Sequence, residues 1–117
     1  ETNNDHSVTS GAVQAALRYP QRNEHVPLIR ELWYMECGSS TEWCADSSVR
    51  RFTPNLFLEI GEDGLNKKLE ALSCYAGVMR PYPHPRSDEA LRGLAAWRGA
   101  QAGCRYAEAF ECVFRRI

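Results

Sequence analysis

The sequence predicts part of an α/β sandwich, a mainly parallel sheet with flanking helices, and three observations carry that expectation. Helical and strand-like patterns follow in the order helix, strand, strand, helix, helix, strand, which suits layered α/β structure better than a bundle or an all-β domain. The strand-like run from Leu28 to Glu36 carries large residues on both faces at Leu32, Trp33, Tyr34 and Met35, as a strand buried from both sides does. A chain of 117 residues is enough for one modest domain and too short for two ordinary ones.

Each element has its own justification. From Ser7 to about Tyr19, Val8, Ala12, Val13, Ala15 or Ala16, and Leu17 recur at three- and four-residue spacing, the mark of a helix. Asp5 or Ser7 caps its start, and Tyr19-Pro20 closes it, because a residue before proline is pushed out of the helical region. Leu28–Glu36 is strand-like in its aromatic and branched content. The segment Cys37–Pro54 is a long polar loop containing Trp43, and loops of that length often line binding sites. Leu56–Ile60 is a short apolar strand. A helix follows Glu62-Asp63-Gly64, with Leu65, Leu69, Leu72 and Ala76 on one side and Gly77 as its stop. The alternating prolines of Arg80-Pro81-Tyr82-Pro83-His84-Pro85-Arg86 make a stiff extended segment. Ser87 caps the last helix, whose packing face is drawn from Leu91, Leu94, Ala95, Trp97 and Ala102, and Gly103 ends it. Tyr106–Phe114 alternates as a strand with a carboxylate on each face, which places it at a sheet edge or at the mouth of a cleft. Three strands under three helices leave sheet edges for something else to cover.

Composition narrows the function. Apolar residues make up 44% and charged residues 25%, as in globular domains, and such a lone domain buries about 60–65% of its unfolded surface. Fourteen basic side chains against fifteen acidic give a net charge of -1, which excludes a uniform positive field for nucleic acid. No run of apolar residues is long enough to span a membrane. The polar start, Glu1-Thr2-Asn3-Asn4-Asp5-His6, has no initiator Met and no basic-then-apolar leader, and reads as a processed chain or a fragment. Cys37, Cys44, Cys74, Cys104 and Cys112 form an odd set with no CxxC pair, as expected of reduced, mostly buried thiols in a cytoplasmic protein, with one disulfide or a metal site as the alternatives.

Four positions could carry chemistry. His6 precedes a helix in a polar turn, where a neutral ring nitrogen suits zinc and Asp5 could orient the ring; a solvent-exposed histidine near a chain end reads the same on spacing alone. His84-Pro85-Arg86 fixes an imidazole between two prolines beside a guanidinium fork suited to phosphate or carboxylate, or forms a loop clamp with a surface ion pair. Glu108, between Tyr106 and Phe110, has to be exposed, paired or functional. Glu36 raises the same question at the end of its strand. No HExxH pair, GxSxG elbow or Walker loop is present.

Taken together, several motifs resemble the C-terminal half of the PIG-L/LmbE-like N-acetylglucosaminyl deacetylases. They are Asn4-Asp5-His6, Tyr34-Met35-Glu36, Ser39-Ser40-Thr41-Glu42-Trp43, Phe52 through Ile60, Pro83-His84-Pro85-Arg86-Ser87, Arg98-Gly99, and Tyr106-Ala107-Glu108-Ala109-Phe110. The resemblance runs nearly end to end, so residues 1–117 would be the C-terminal portion of such a domain, with a Rossmann-like fold. It implies a zinc ion with His6 as its one retained ligand, Asp5 and Asn3 in the neighbouring catalytic positions, and His84, Arg86 and Glu108 toward the substrate. The other zinc ligands and the general base belong to an AHPDDE-like motif absent from this chain. A missing N-terminal segment or a partner chain would have to supply them.

Three functions are then expected to compete. One is a segment of a zinc-dependent enzyme hydrolysing an N-acetylated amino sugar or its conjugate. The second is a domain without that chemistry that keeps a sugar-binding or structural role. The third is an unrelated α/β interaction module.

Overall fold

The computed structural model describes residues 4–43 and 51–117. Among them the elements are α1 (Asn4–Ala16), β1 (Glu31–Met35), β2 (Leu56–Glu59), α2 (Gly61–Ser73), α3 (Asp88–Ala102) and β3 (Ala107–Arg115). Short 3₁₀ turns occur at Tyr19–Gln21 and Thr41–Trp43.

The order of elements is the one the sequence patterns give, but the sheet is different. Its three strands lie in the order β1-β3-β2, and β3 runs antiparallel to both neighbours. The mainly parallel, Rossmann-like sandwich is therefore corrected to a small antiparallel sheet with helices. The reason lies in the connection between β2 and β3. One helical crossover delivers the next strand parallel to the last; here the chain makes two helical passes, α2 and α3, and re-enters the sheet in the opposite direction. Nor is β3 an edge strand: it is central, with Leu56 opposite Phe110 on one side and Met35 opposite Phe110 on the other.

β1 explains the mistaken direction. Its large residues reflect strand propensity and not burial on both sides. Leu32 and Tyr34 are half-buried, while Trp33 and Met35 on the other face stay 43% and 66% exposed. The register shifts between Leu32 and Trp33, where Val113 of β3 is passed over. Beyond the start of β2, Asn55 extends the pairing with its side chain, accepting from the Cys112 N–H at 2.8 Å and donating to the Cys112 carbonyl at 3.3 Å.

The core lies between α2 and α3 and continues onto one face of the sheet. Leu65 and Leu69 of α2 meet Leu91 and Ala95 of α3, with Ile60, Leu72, Met79 and Tyr106 packed around them. α2 ends at Ser73, short of Ala76 and Gly77, so Leu65, Leu69 and Leu72 carry its apolar side. α3 begins as expected: Ser87 is extended, and its Oγ accepts from the Ala90 N–H at 3.1 Å, a cap of about 1 kcal/mol. Arg92 ties α3 to α2 by donating to the Asn66 side-chain carbonyl at 3.0 Å. The face of α3 differs from expectation, since Leu91, Ala95 and Gly99 are buried while Trp97 is 61% exposed. α1 buries none of its residues, and Val8 and Val13 remain exposed.

Gly99 is fixed by close approach. A Cβ there would lie 2.5 Å from the Arg105 carbonyl oxygen and 2.7 Å from that of Cys104. The chain doubles back at this point, with Gly103 left-handed at φ 77 and the Cys104 N–H donating to the Gly99 carbonyl at 2.9 Å. Gly99→Ala is expected to destabilise the domain by about 2 kcal/mol, because backbone atoms must move to admit the methyl group. Urea denaturation measures it, and an unchanged midpoint would show that the turn gives way freely.

Candidate functional site

A cavity of about 770 Å³ lies between α1 and β1. α1 supplies Asp5, His6, Thr9 and Ser10 to its wall, β1 supplies Leu32 through Met35, and Cys37, Thr41, Arg51 and Phe52 close its end. At the sheet, Glu111 of central strand β3 completes the lining.

Glu111 is the residue that sequence reasoning passed over. It is only 3% exposed, and its Oε2 accepts from the Thr53 N–H at 3.2 Å. It lies opposite Tyr34 in the register. On its face of β3, Ala107 and Ala109 are also buried. The signal for it was present in Ala107-x-Ala109-x-Glu111, because two alanines on one face of a strand leave room for a helix to pack closely. A carboxylate that continues such a face is carried into the interior, where it needs a donor.

The sequence-predicted site residues separate into three places. His6 and Asp5 both line the cavity, His6 half-buried and Asp5 exposed. Because α1 begins at Asn4, His6 sits within its first turn and not in a loop before it. The third position of that group, Asn3, lies outside the described residues.

His84 and Arg86 belong to the turn before α3. The Arg86 N–H donates to His84 Nδ1 at 3.1 Å, so in the neutral ring Nε2 carries the proton. The Arg80 N–H donates to the Arg86 carbonyl at 3.2 Å and closes the turn. Arg86 Nε is buried without a hydrogen-bond partner among the described residues. This turn borders the Gly38 turn, where a Cβ would meet the Pro85 oxygen at 3.4 Å. It stands beside the Cys37 end of the cavity without lining it.

Glu108 projects from the other face of β3 from Glu111, opposite Leu58, and pairs with Lys68 Nζ at 2.6 Å. Glu36, the remaining carboxylate of interest, is held by the Arg98 guanidinium: Nε donates to Oε2 at 2.9 Å and a second nitrogen donates to Oε1. Its role is to join the end of β1 to α3.

The donor set for a metal can be tested directly. Among the described residues no three His, Cys, Asp or Glu side chains come together in a way that could hold a metal ion. His6 and Asp5 alone do not make a zinc site, which takes three or four protein ligands. The expected zinc centre takes its remaining ligands from outside this chain, and no chemical step is derived through zinc. Among the described residues no helix is long and apolar enough to cross a membrane.

No protein-family model, characterised protein or solved structure matches the chain. The antiparallel sheet also departs from the Rossmann-like architecture that the resemblance to the deacetylases implies.

Proposed function

We propose that this domain binds a small hydroxylated ligand of the N-acetylated amino-sugar class in the cavity between α1 and β1, and that it acts as a binding domain. The observation that carries this reading is the buried Glu111 carboxylate in a cavity walled by Tyr34 and Phe52. A sugar has C–H faces that lie against aromatic rings and hydroxyl groups that donate to a carboxylate. The cavity volume of about 770 Å³ suits a small ligand, and an apolar wall with a few polar groups is the usual make-up of such pockets. Thr9 and Ser10 add hydroxyls, and His6 adds a ring nitrogen, along the opposite wall. The hydrolytic reading asks more of the site, since His6 would need further zinc ligands and a general base.

N-acetylglucosamine is the probe that tests the proposal. Trp33 borders the cavity, so its fluorescence should change on titration and saturate in the ~1 mM range or below. Glu111→Gln keeps an acceptor for Thr53 but loses the charge, and is expected to weaken binding about tenfold. A titration without saturation, or equal affinity in the folded Glu111→Gln variant, would reject the reading.

A further inference from the structure

β3 lies on one side of β1, and among the described residues no strand lies on the other. Main-chain N–H and C=O groups turn to alternate sides along a strand, so the register fixes which of them leave the sheet. Along β3, the Tyr106 and Phe110 carbonyls accept from the Ile60 and Asn55 N–H groups on the β2 side. The Glu111 main chain is therefore turned to β1, where it meets Tyr34. The Arg30 carbonyl accepts from the Arg116 N–H at 2.7 Å, which puts Arg30, and by alternation Leu32 and Tyr34, on the β3 side. Trp33 and Met35 are left with their N–H and C=O groups directed off the free edge. Among the described residues neither main chain has a hydrogen-bond partner there.

This edge lies in the cavity between α1 and β1. Leu32, Trp33, Tyr34 and Met35 all line it, although consecutive side chains of a strand point to opposite faces of the sheet. One cavity touches both sets where it wraps the edge of the strand. The open groups end at Cys37, whose N–H already donates to Thr41 Oγ1 at 2.9 Å. Met35 thus offers the last open donor, at the end of the cavity that Arg51 and Phe52 close.

From this we infer that the main-chain N–H of Met35 reads the acetamido group of the ligand, and so selects N-acetylated sugars over their hydroxyl counterparts. The inference rests on the sugar-binding reading of the cavity and adds the group that sets its specificity. An acetamido group is a trans secondary amide, with its carbonyl and its N–H pointing in opposite directions. Its oxygen accepts from Met35 as the carbonyl of an added strand would. Its N–H is then directed away from β1, toward the α1 wall, where the Thr9 and Ser10 hydroxyls are acceptors. Glu111, beside Tyr34 in the register, takes the ring hydroxyls. A hydroxyl on the same sugar carbon brings no carbonyl to this place, and glucose leaves the Met35 N–H to water. The contact does not use the Met35 side chain, which is 66% exposed.

Titrations of the full chain with N-acetylglucosamine and with glucose test the inference, followed by fluorescence and by the Met35 amide signal in proton–nitrogen correlation spectra. Glucose is expected to bind about tenfold more weakly. The Met35 amide proton should move downfield on saturation with N-acetylglucosamine and not with glucose. Proline lacks the N–H and is accepted on an edge strand where that group faces outward, so Met35→Pro removes the donor. Met35→Ala truncates the side chain and keeps the donor. Relative to it, Met35→Pro should bind N-acetylglucosamine about tenfold more weakly and glucose equally well. Weakening of both sugars alike would reveal a general disturbance of the cavity and overturn the inference. Equal affinity of the unsubstituted chain for the two sugars, or a Met35 amide unmoved at saturation, overturns it while sugar binding stands. These two measurements decide the matter if Met35→Pro fails to fold. Absence of saturation with N-acetylglucosamine rejects the sugar-binding reading itself, and the inference with it.

Discussion

Replacing Arg98 by alanine is expected to lower the stability of the domain by about 3 kcal/mol. Arg98 and Glu36 side chains are 13% and 19% exposed, and two nitrogens of one guanidinium engage both oxygens of one carboxylate. The third nitrogen donates to the Gln101 side chain at 2.8 Å, and the guanidinium carbon stands 5.9 Å from the centre of the Phe52 ring. Alanine removes all of this and leaves the Glu36 carboxylate largely desolvated with its charge uncompensated. That penalty, more than the lost attraction, sets the size of the effect. The exposed pair Arg115–Glu31, with side chains 64% and 34% exposed, supplies the contrast. Breaking it should cost no more than about 0.5 kcal/mol. The double change Arg98→Met with Glu36→Gln should recover most of the loss, because it removes both charges while keeping much of the volume. Urea denaturation of the three variants decides the point. A loss below about 1 kcal/mol for Arg98→Ala would mean that water reaches the pair freely. Because Phe52 also lines the cavity, Arg98→Ala should weaken N-acetylglucosamine binding as well.

Arg98 also shows where the sequence was informative and where it was not. Helix and strand positions follow from local signals: Ser87 with Asp88 and Glu89 announces α3, and Gly103 ends it in the left-handed conformation. Which side of α3 faces inward depends on phase. Trp97 lies two residues past Ala95, about 200° around the helix, and so faces away from the Leu91–Ala95–Gly99 line. Arg98 lies about 60° from Ala95 and flanks the buried line. Tryptophan's hydrophobicity suggested the opposite assignment, and its spacing would have corrected it. The direction of the strands was harder to read, because large residues on both faces of β1 imitate a parallel strand buried from both sides, whereas Trp33 and Met35 are exposed. Two consecutive helices between β2 and β3 were the available sign. The candidate site was legible in part. His6 and Asp5 do reach the cavity, but its sheet side is built by Glu111, a buried carboxylate held by the Thr53 N–H, 58 residues away in sequence.

Leu65→Ala is expected to cost about 3 kcal/mol, and the smallness of the core makes that loss serious. Leu65 is 0% exposed, and the other buried apolar residues among those described are Leu69, Leu91, Ala95, Ala107 and Ala109. Three of the six are alanines, so the leucines supply most of the apolar volume between α2, α3 and the sheet. The neighbours of Leu65 cannot easily fill the space it leaves. Leu69 and Leu91 are fixed on helices joined by the Arg92–Asn66 hydrogen bond, and Ile60 is held by its N–H donating to the Tyr106 carbonyl at 3.1 Å. A cavity that fails to collapse adds its own cost to the lost transfer energy, as large-to-small core substitutions show. For a domain near this size each kcal/mol moves the melting temperature by about 4–8 °C, so a fall of about 12–24 °C is expected. Leu58→Ala is the matched control: the same side chain is removed from a position 54% exposed, with little cavity to create. It should shift the midpoint by no more than a few degrees. Equal losses for the two variants would show that the stabilising packing is not centred between α2 and α3. A Leu65→Ala protein that kept its stability would overturn the placement of the core, and with it the rigid support on which β3 presents Glu111 to the cavity.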